Sequence, residues 1–168
     1  MAFGEGWDVP VGANPWSDFH WFHVSPRSAL VVVVLSEDVV WYSGHFVDGR
    51  MAPCLGKGCE LCGAGTGGQV RYVLPVVEIS TRRVGLMEVS QSIGQLIRSW
   101  VDRRGELRGM TLEFTKATHA KQSRTNVGYV DTECPPWYRS CRVPDVKTAL
   151  VLTWKKAGFD VPEGMAGG

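Results

Sequence analysis

Two kinds of apolar spacing divide this chain. Residues 29–35, ALVVVVL, form an unbroken apolar run rich in β-branched valine, the pattern of a strand buried on both faces. After the acidic turn Ser36-Glu37-Asp38, residues 39–47 predict a second strand, residues 69–80 a third and, past Thr81-Arg82-Arg83, residues 84–89 a fourth. The period then changes. Ile93, Leu96, Ile97, Trp100 and Val101 recur at i, i+3, i+4, i+7 and i+8, which predicts a helix from a cap at Ser90 or Ser92 to about Arg103, stopped by Gly105. That stripe is core. Residues 110–118 alternate Leu112, Phe114 and Lys116 against Thr111, Glu113 and Thr115, and residues 126–131 return as the hairpin partner. Residues 147–159, with Ala149, Leu150, Leu152, Trp154 and Ala157, close the chain as a second amphipathic helix.

Strands dominate, with one helix set before the last hairpin, so the expected fold is mainly β with α. It suits an OB-like Greek-key β-barrel carrying an inserted loop and two helices. With 168 residues, 44% of them hydrophobic, one core is expected. Residues 1–27 form a loop-like arm, residues 28–144 the barrel, and residues 145–168 a helix and short tail. The arm carries Trp7, Trp16, Phe19, Trp21 and Phe22, too many aromatics for a free tail, and is expected to pack on the body. No apolar stretch approaches 18 residues and no secretory leader is legible, which predicts a cytoplasmic protein with no membrane contact.

Chemistry is concentrated at residues 45–68. Cys54, Cys59 and Cys62 follow the spacing C-x4-C-x2-C among glycines, with His45 just upstream. In a compartment that keeps thiols reduced, that cluster points to a tetrahedral zinc site rather than a disulfide framework. His45 is the preferred fourth ligand; Cys134 or Cys141 would complete an all-cysteine site instead. Four protein ligands would make the site structural.

The net charge is only +1, but it is unevenly placed. One arginine stands against six acids in residues 1–49, twelve Lys or Arg against six acids in residues 50–124, and five against five thereafter. A basic middle around the cysteine loop fits a groove facing phosphates. A sequence-tolerant single-strand binder needs such cations together with aromatic faces for stacking. The candidates are Trp41 and Tyr42 on the strand entering the loop, Arg50 and Lys57 in the loop, Arg71 and Tyr72 on the strand leaving it, and Phe114, Lys116, Lys121, Arg124 and Tyr129 on the late hairpin. No acid interrupts the run from Lys116 to Arg124. Strand alternation lets only one of Trp41 and Tyr42 face outward.

The order His45, Cys54, Cys59-x2-Cys62 between early strands, followed by a helix and a basic, aromatic hairpin, resembles the zinc-containing single-stranded DNA-binding proteins of tailed phages. The resemblance spans residues 40–131. It implies a non-catalytic accessory of replication or recombination that binds single-stranded DNA in an OB-fold cleft, with zinc bracing a loop beside it, and partners among replication or recombination proteins. This chain departs from the family in its short Cys54–Cys59 gap and in lacking a basic N-terminal arm and a long acidic tail.

Enzymatic patterns fit poorly. A zinc deaminase needs H-x-E before its cysteines, and Val47 stands where the proton-shuttling glutamate belongs. The tract from Cys62 to Gly68 lacks the Lys-Ser/Thr ending of a nucleotide-phosphate loop. The alternative class is a zinc-stabilised protein-interaction adaptor of a nucleic-acid-processing complex, docking through the aromatic arm and the CPPWY segment.

Overall fold

The computed structural model describes residues 19–117, 124–131 and 134–164. Within them, seven strands form one antiparallel sheet: β1 (Leu30–Val34), β2 (Val40–Val47), β3 (Arg50–Pro53), β4 (Gln69–Glu78), β5 (Val84–Ser90), β6 (Thr111–Lys116) and β7 (Thr125–Tyr129). Three helices accompany them, α1 (Glu60–Gly63), α2 (Gln91–Arg104) and α3 (Val146–Lys156), with a 3-10 turn at Pro136–Ser140.

β4 organises the sheet. One of its edges carries β5 from Arg71↔Ser90 to Val77↔Val84. The other is shared end to end by β1, which meets residues 76–78, and β2, which meets residues 69–73. β6 returns to the far side of β1, and β7 follows it. Among the described residues β5 and β7 do not pair, so the sheet stays open between them.

Both faces of the sheet centre are covered, which is why β1 reads as continuous valine instead of alternating. The inner face packs Val32, Val34, Leu74, Val76, Leu112 and Phe114 against α2 through Ile97. On the outer face, α3 lays Val146, Ala149, Leu150 and Trp154 over Tyr42, Val73 and Leu86. Trp137 and Tyr138 of the 3-10 turn cover Val33, Leu35 and Val77 beside it. Burying each such side chain contributes about 1.5–3 kcal/mol.

The helices begin and end on local signals. Ser90, one of the two expected caps, accepts the Ile93 N–H, and Gly105 ends α2 at φ 93° with its N–H on the Val101 carbonyl. Asp145 caps α3 by accepting the Thr148 N–H at 3.1 Å. One member of the expected α2 stripe is misplaced: Leu96 is 42% exposed.

The described part of the arm, residues 19–27, does pack, and it reaches onto the sheet. Trp21 bridges to Leu86, and His20 and Phe22 exchange backbone hydrogen bonds with Leu86. Phe22 joins the inner core. A Cβ at Gly85 would collide with the His20 carbonyl, so only glycine lets the arm lie this close. His20, Trp21 and Phe22 of the expected arm thus belong to the folded unit. Among the described residues no helix is long and apolar enough to cross a membrane.

Candidate metal centre and adjoining cleft

β2 runs past the sheet centre and turns back as β3, a strand the sequence reading missed. Asp48 and Gly49 both take positive φ, 48° and 79°, in a two-residue turn between the paired Val47 and Arg50. An Asp-Gly pair between strands is the standard signal for this hairpin turn. The Cys54 N–H continues the ladder onto the Ser43 carbonyl at 2.7 Å, which sets Cys54 beside His45. Gly56 and Gly58 then take φ 78° and 85°, bending the chain back so that Cys59 and Cys62 share one side of the short helix α1.

The result is a quartet. Nε2 of His45 lies 3.6 Å from the Cys59 Sγ and 3.4 Å from the Cys62 Sγ, and the Cys54 and Cys62 sulfurs are 3.6 Å apart. All four donor atoms lie within 4.8 Å of one another, close enough to hold one metal ion. Zinc bonds of about 2.3 Å to sulfur and about 2.0 Å to nitrogen set tetrahedral edges of about 3.5–3.8 Å, so the spacing and donor types are consistent with zinc. Sulfurs at 3.6 Å are not a disulfide, and all five cysteines are free thiols.

His45 is the fourth donor. Cys134 and Cys141 pack instead in the outer-face cluster with Trp137 and Tyr138. The His45 Nδ1 lies 2.8 Å from the Thr66 carbonyl, which orients the ring from behind, as an outer-shell partner of a metal-bound histidine does.

Electrostatics inside the quartet are uneven. Backbone N–H groups of Cys62 and Leu55 pull the Cys59 thiol down to about 6, and the Gly56 N–H followed by His45 lowers Cys54. The Cys54 sulfur, then burial, pushes Cys62 up to about 11. Hydrogen bonding to Cys54 raises His45. A third thiolate is disfavoured beside the first two, and a bound divalent cation removes that penalty.

The metal loop ends one residue before β4, and Arg71, two residues into that strand, lines a cleft of about 850 Å³. The cleft occupies the opening between β5 and β7. Ser90, Ser92, Lys116, Arg124 and Asn126 share its walls with Arg71. The Gln69 side chain holds the Arg71 guanidinium at 2.9 Å. Glu88 also faces the cleft: its carboxylate accepts the Tyr42 hydroxyl at 2.7 Å and lies 3.8 Å from the Arg71 Nε. Burial outweighs both contacts and holds Glu88 above its ordinary pKa. In the sequence the only signal for Glu88 is that it is the one charged residue of its strand, VGLMEVS.

A second cavity of about 360 Å³ lies between β2, β4 and α2, walled by Trp41, Tyr72, Leu74, Ile97 and Val101. Trp41, 62% exposed, stands at its edge.

The predicted contacts therefore separate. Arg71, Lys116 and Arg124 meet in the larger cleft, Trp41 and Tyr72 in the smaller cavity, and Arg50 and Lys57 lie exposed on the metal hairpin and loop. Two expectations are corrected. Phe114 is fully buried in the inner core, and Tyr42 lies under Trp154 with ring centroids 5.1 Å apart, so neither offers a face to a base. Tyr129 is half-buried and stacks on Trp100 at 6.0 Å. Lys121 lies outside the described residues.

Compared with known proteins, the chain matches no family model, no curated protein and no solved structure.

Proposed function

We propose that this protein binds single-stranded nucleic acid, DNA in preference, in the cleft between β5 and β7, without catalysing a reaction. The observation that carries the reading is the meeting of Arg71, Lys116 and Arg124, from three separate stretches of chain, with Ser90, Ser92 and Asn126 in one open cleft. Cations neutralise the backbone there, and the hydroxyls and amide bond its oxygens. Trp41, at the edge of the separate smaller cavity, supplies an exposed ring for stacking.

The strand arrangement supports an OB-type barrel. With β1 and β2 taken as one interrupted strand, neighbours run β5–β4–β1–β6–β7, and α2 links β5 to β6. In a five-stranded, partly open barrel of this type, oligonucleotides meet the second and third strands and two loops, one after the first strand and one between the fourth and fifth. Those correspond here to β4, β5, the metal hairpin and the basic segment from Lys116 to Arg124.

His45, Cys54, Cys59 and Cys62 hold a structural zinc in this reading. Four protein donors leave the ion no open position for water, so its work is to fix the hairpin beside the cleft. A replication or recombination accessory of the tailed-phage type has this construction.

Fluorescence-anisotropy titration with an oligothymidine at two salt concentrations, with bound metal quantified on the same sample, tests the proposal. Expected are one zinc per chain and an affinity that falls with salt, with a log–log slope of about −0.7 per phosphate neutralised. Absence of binding at low salt would overturn it and favour the adaptor.

A further inference from the structure

A second arginine-rich face lies away from the cleft, at the opposite end of the β4–β5 ladder. The ladder runs from Arg71↔Ser90 to Val77↔Val84, about 20 Å at the usual rise per residue. Beyond its far end, the Arg82 guanidinium sits 4.9 Å over the Trp137 ring. Arg108 and Arg139 lie 6.0 and 5.7 Å from the Tyr138 ring. Arg104 reaches the same place: its Nη2 and the Tyr138 hydroxyl both crowd the open side of Gly109.

Three features mark this as a built surface. The four arginines come from four places in the chain, namely the β4–β5 turn, the end of α2, the loop after it and the 3-10 turn. All four are exposed, and among the described residues none is in an ion pair. Their rings are fixed from beneath, because Trp137 and Tyr138 pack on Val33, Leu35 and Val77. Arg82 also holds φ at 59°, a conformation Gly or Asn adopts at less cost, so the turn spends backbone energy to carry this side chain.

A guanidinium lying over a ring, as Arg82 lies over Trp137, can still turn its N–H edge to solvent, and Arg139 is held in place by a side-chain hydrogen bond with Tyr138. The planar fork of an arginine fits phosphate oxygens in a bidentate manner. We propose that Arg82, Arg108 and Arg139, set against the rings of Trp137 and Tyr138, together with Arg104 beside them, form a second binding surface for the phosphodiester backbone. A strand leaving the cleft continues along the β4–β5 hairpin onto it. The choice of nucleic acid as the polyanion rests on the cleft reading; the surface itself does not.

The test compares Arg82→Glu/Arg139→Glu with Lys116→Glu/Arg124→Glu on the full chain, with circular dichroism and metal content confirming that each folds. An oligothymidine of about 8 nucleotides lies within the site size of one barrel, and one of about 30 nucleotides exceeds it. The arginine-face variant should bind the short oligomer as wild type does. It should lose about tenfold on the long one and flatten its salt slope by about 1–2, as expected when two phosphate contacts go. Unchanged long-oligomer affinity and slope would overturn the proposal. If wild type binds only the long oligomer and this variant abolishes that, the cleft reading fails and the arginine face stands. If neither oligomer binds, or if polyglutamate binds wild type and the variant loses only that, the surface serves an acidic protein segment or nothing, and the nucleic-acid assignment is wrong.

Discussion

His45 and Thr66 are joined by a hydrogen bond from the imidazole Nδ1 to a backbone carbonyl, 2.8 Å long. A carbonyl only accepts, so Nδ1 carries the proton, which leaves Nε2 as the nitrogen whose lone pair meets a metal among the sulfurs of Cys59 and Cys62. His45 is on β2 and Thr66 stands just before β4. One bond therefore ties the end of the metal loop to its start and selects the tautomer that a metal requires.

None of the four donors belongs to the clusters of buried residues that hold the sheet together. Chelation, Cys59→Ser or His45→Ala should therefore abolish metal binding and loosen residues 44–68 while the rest of the sheet stays folded. Hydrogen exchange checks this. Protection should fall at Gly63 and Ala64, whose amides bond within the loop to Cys59 and Glu60, and persist at Val34 and Ile79. Global unfolding on metal removal would contradict it.

Gly94 lies in the first turns of α2, where a Cβ would collide with the ring of Tyr72. Alanine normally favours a helix over glycine by about 1 kcal/mol. Overpacking here costs about 1–3 kcal/mol, so Gly94→Ala should destabilise, or at best leave stability unchanged. Denaturant melts decide: a gain near 1 kcal/mol would mean that Tyr72 moves aside freely.

Glu88 gives a pH signature. Burial raises its folded-state pKa above the ordinary 4.5, against the opposing pull of Tyr42 and Arg71. The neutral carboxyl is the form the fold prefers, so its contribution is fully present below 4.5 and is lost as pH climbs through the raised value. Glu88→Gln keeps an acceptor for the Tyr42 hydroxyl without a charge to bury. The variant should show a flatter rise and fall of thermal stability above pH 4.5 than wild type, with the difference in its favour growing toward neutral pH. A variant that loses stability in parallel with wild type would show that Glu88 is not the titrating group.

The cysteine spacing made the donor set legible, because three thiols in nine residues have few other uses. Ser90, Gly105 and Trp154 were equally readable as cap, stop and core. What the sequence could not supply was which side of a strand is inside. Alternation placed Phe114 with Leu112 and set Trp41 against Tyr42, yet only α2 on one face and α3 on the other decide that Phe114 and Tyr42 are interior. β3 was hidden because Pro53 and the cysteines made its stretch look like loop, although Asp48-Gly49 announced the turn. The arginine face was invisible for another reason: Arg82, Arg104 and Arg139 are far apart in the chain, and only the docking of the 3-10 turn gathers them.

Neighbours on β2, Trp41 and Tyr42 should separate binding from stability. Trp41 is 62% exposed beside Tyr72, and its replacement by alanine removes a ring that a base can cover. That should weaken oligothymidine binding by about 1–3 kcal/mol. Stability should change by no more than about 0.5 kcal/mol, as for an ordinary surface site. Tyr42→Phe keeps the ring under Trp154 but withdraws the hydroxyl that Glu88 accepts at 2.7 Å. Leaving that half-buried carboxylate short of a donor should cost about 1–3 kcal/mol of stability. Its effect on short-oligomer affinity should be small, because Gln69 still holds Arg71. Anisotropy and urea melts on both variants read the two quantities independently. If Trp41→Ala binds as wild type while Tyr42→Phe does not, the stacking platform has been placed on the wrong face of β2.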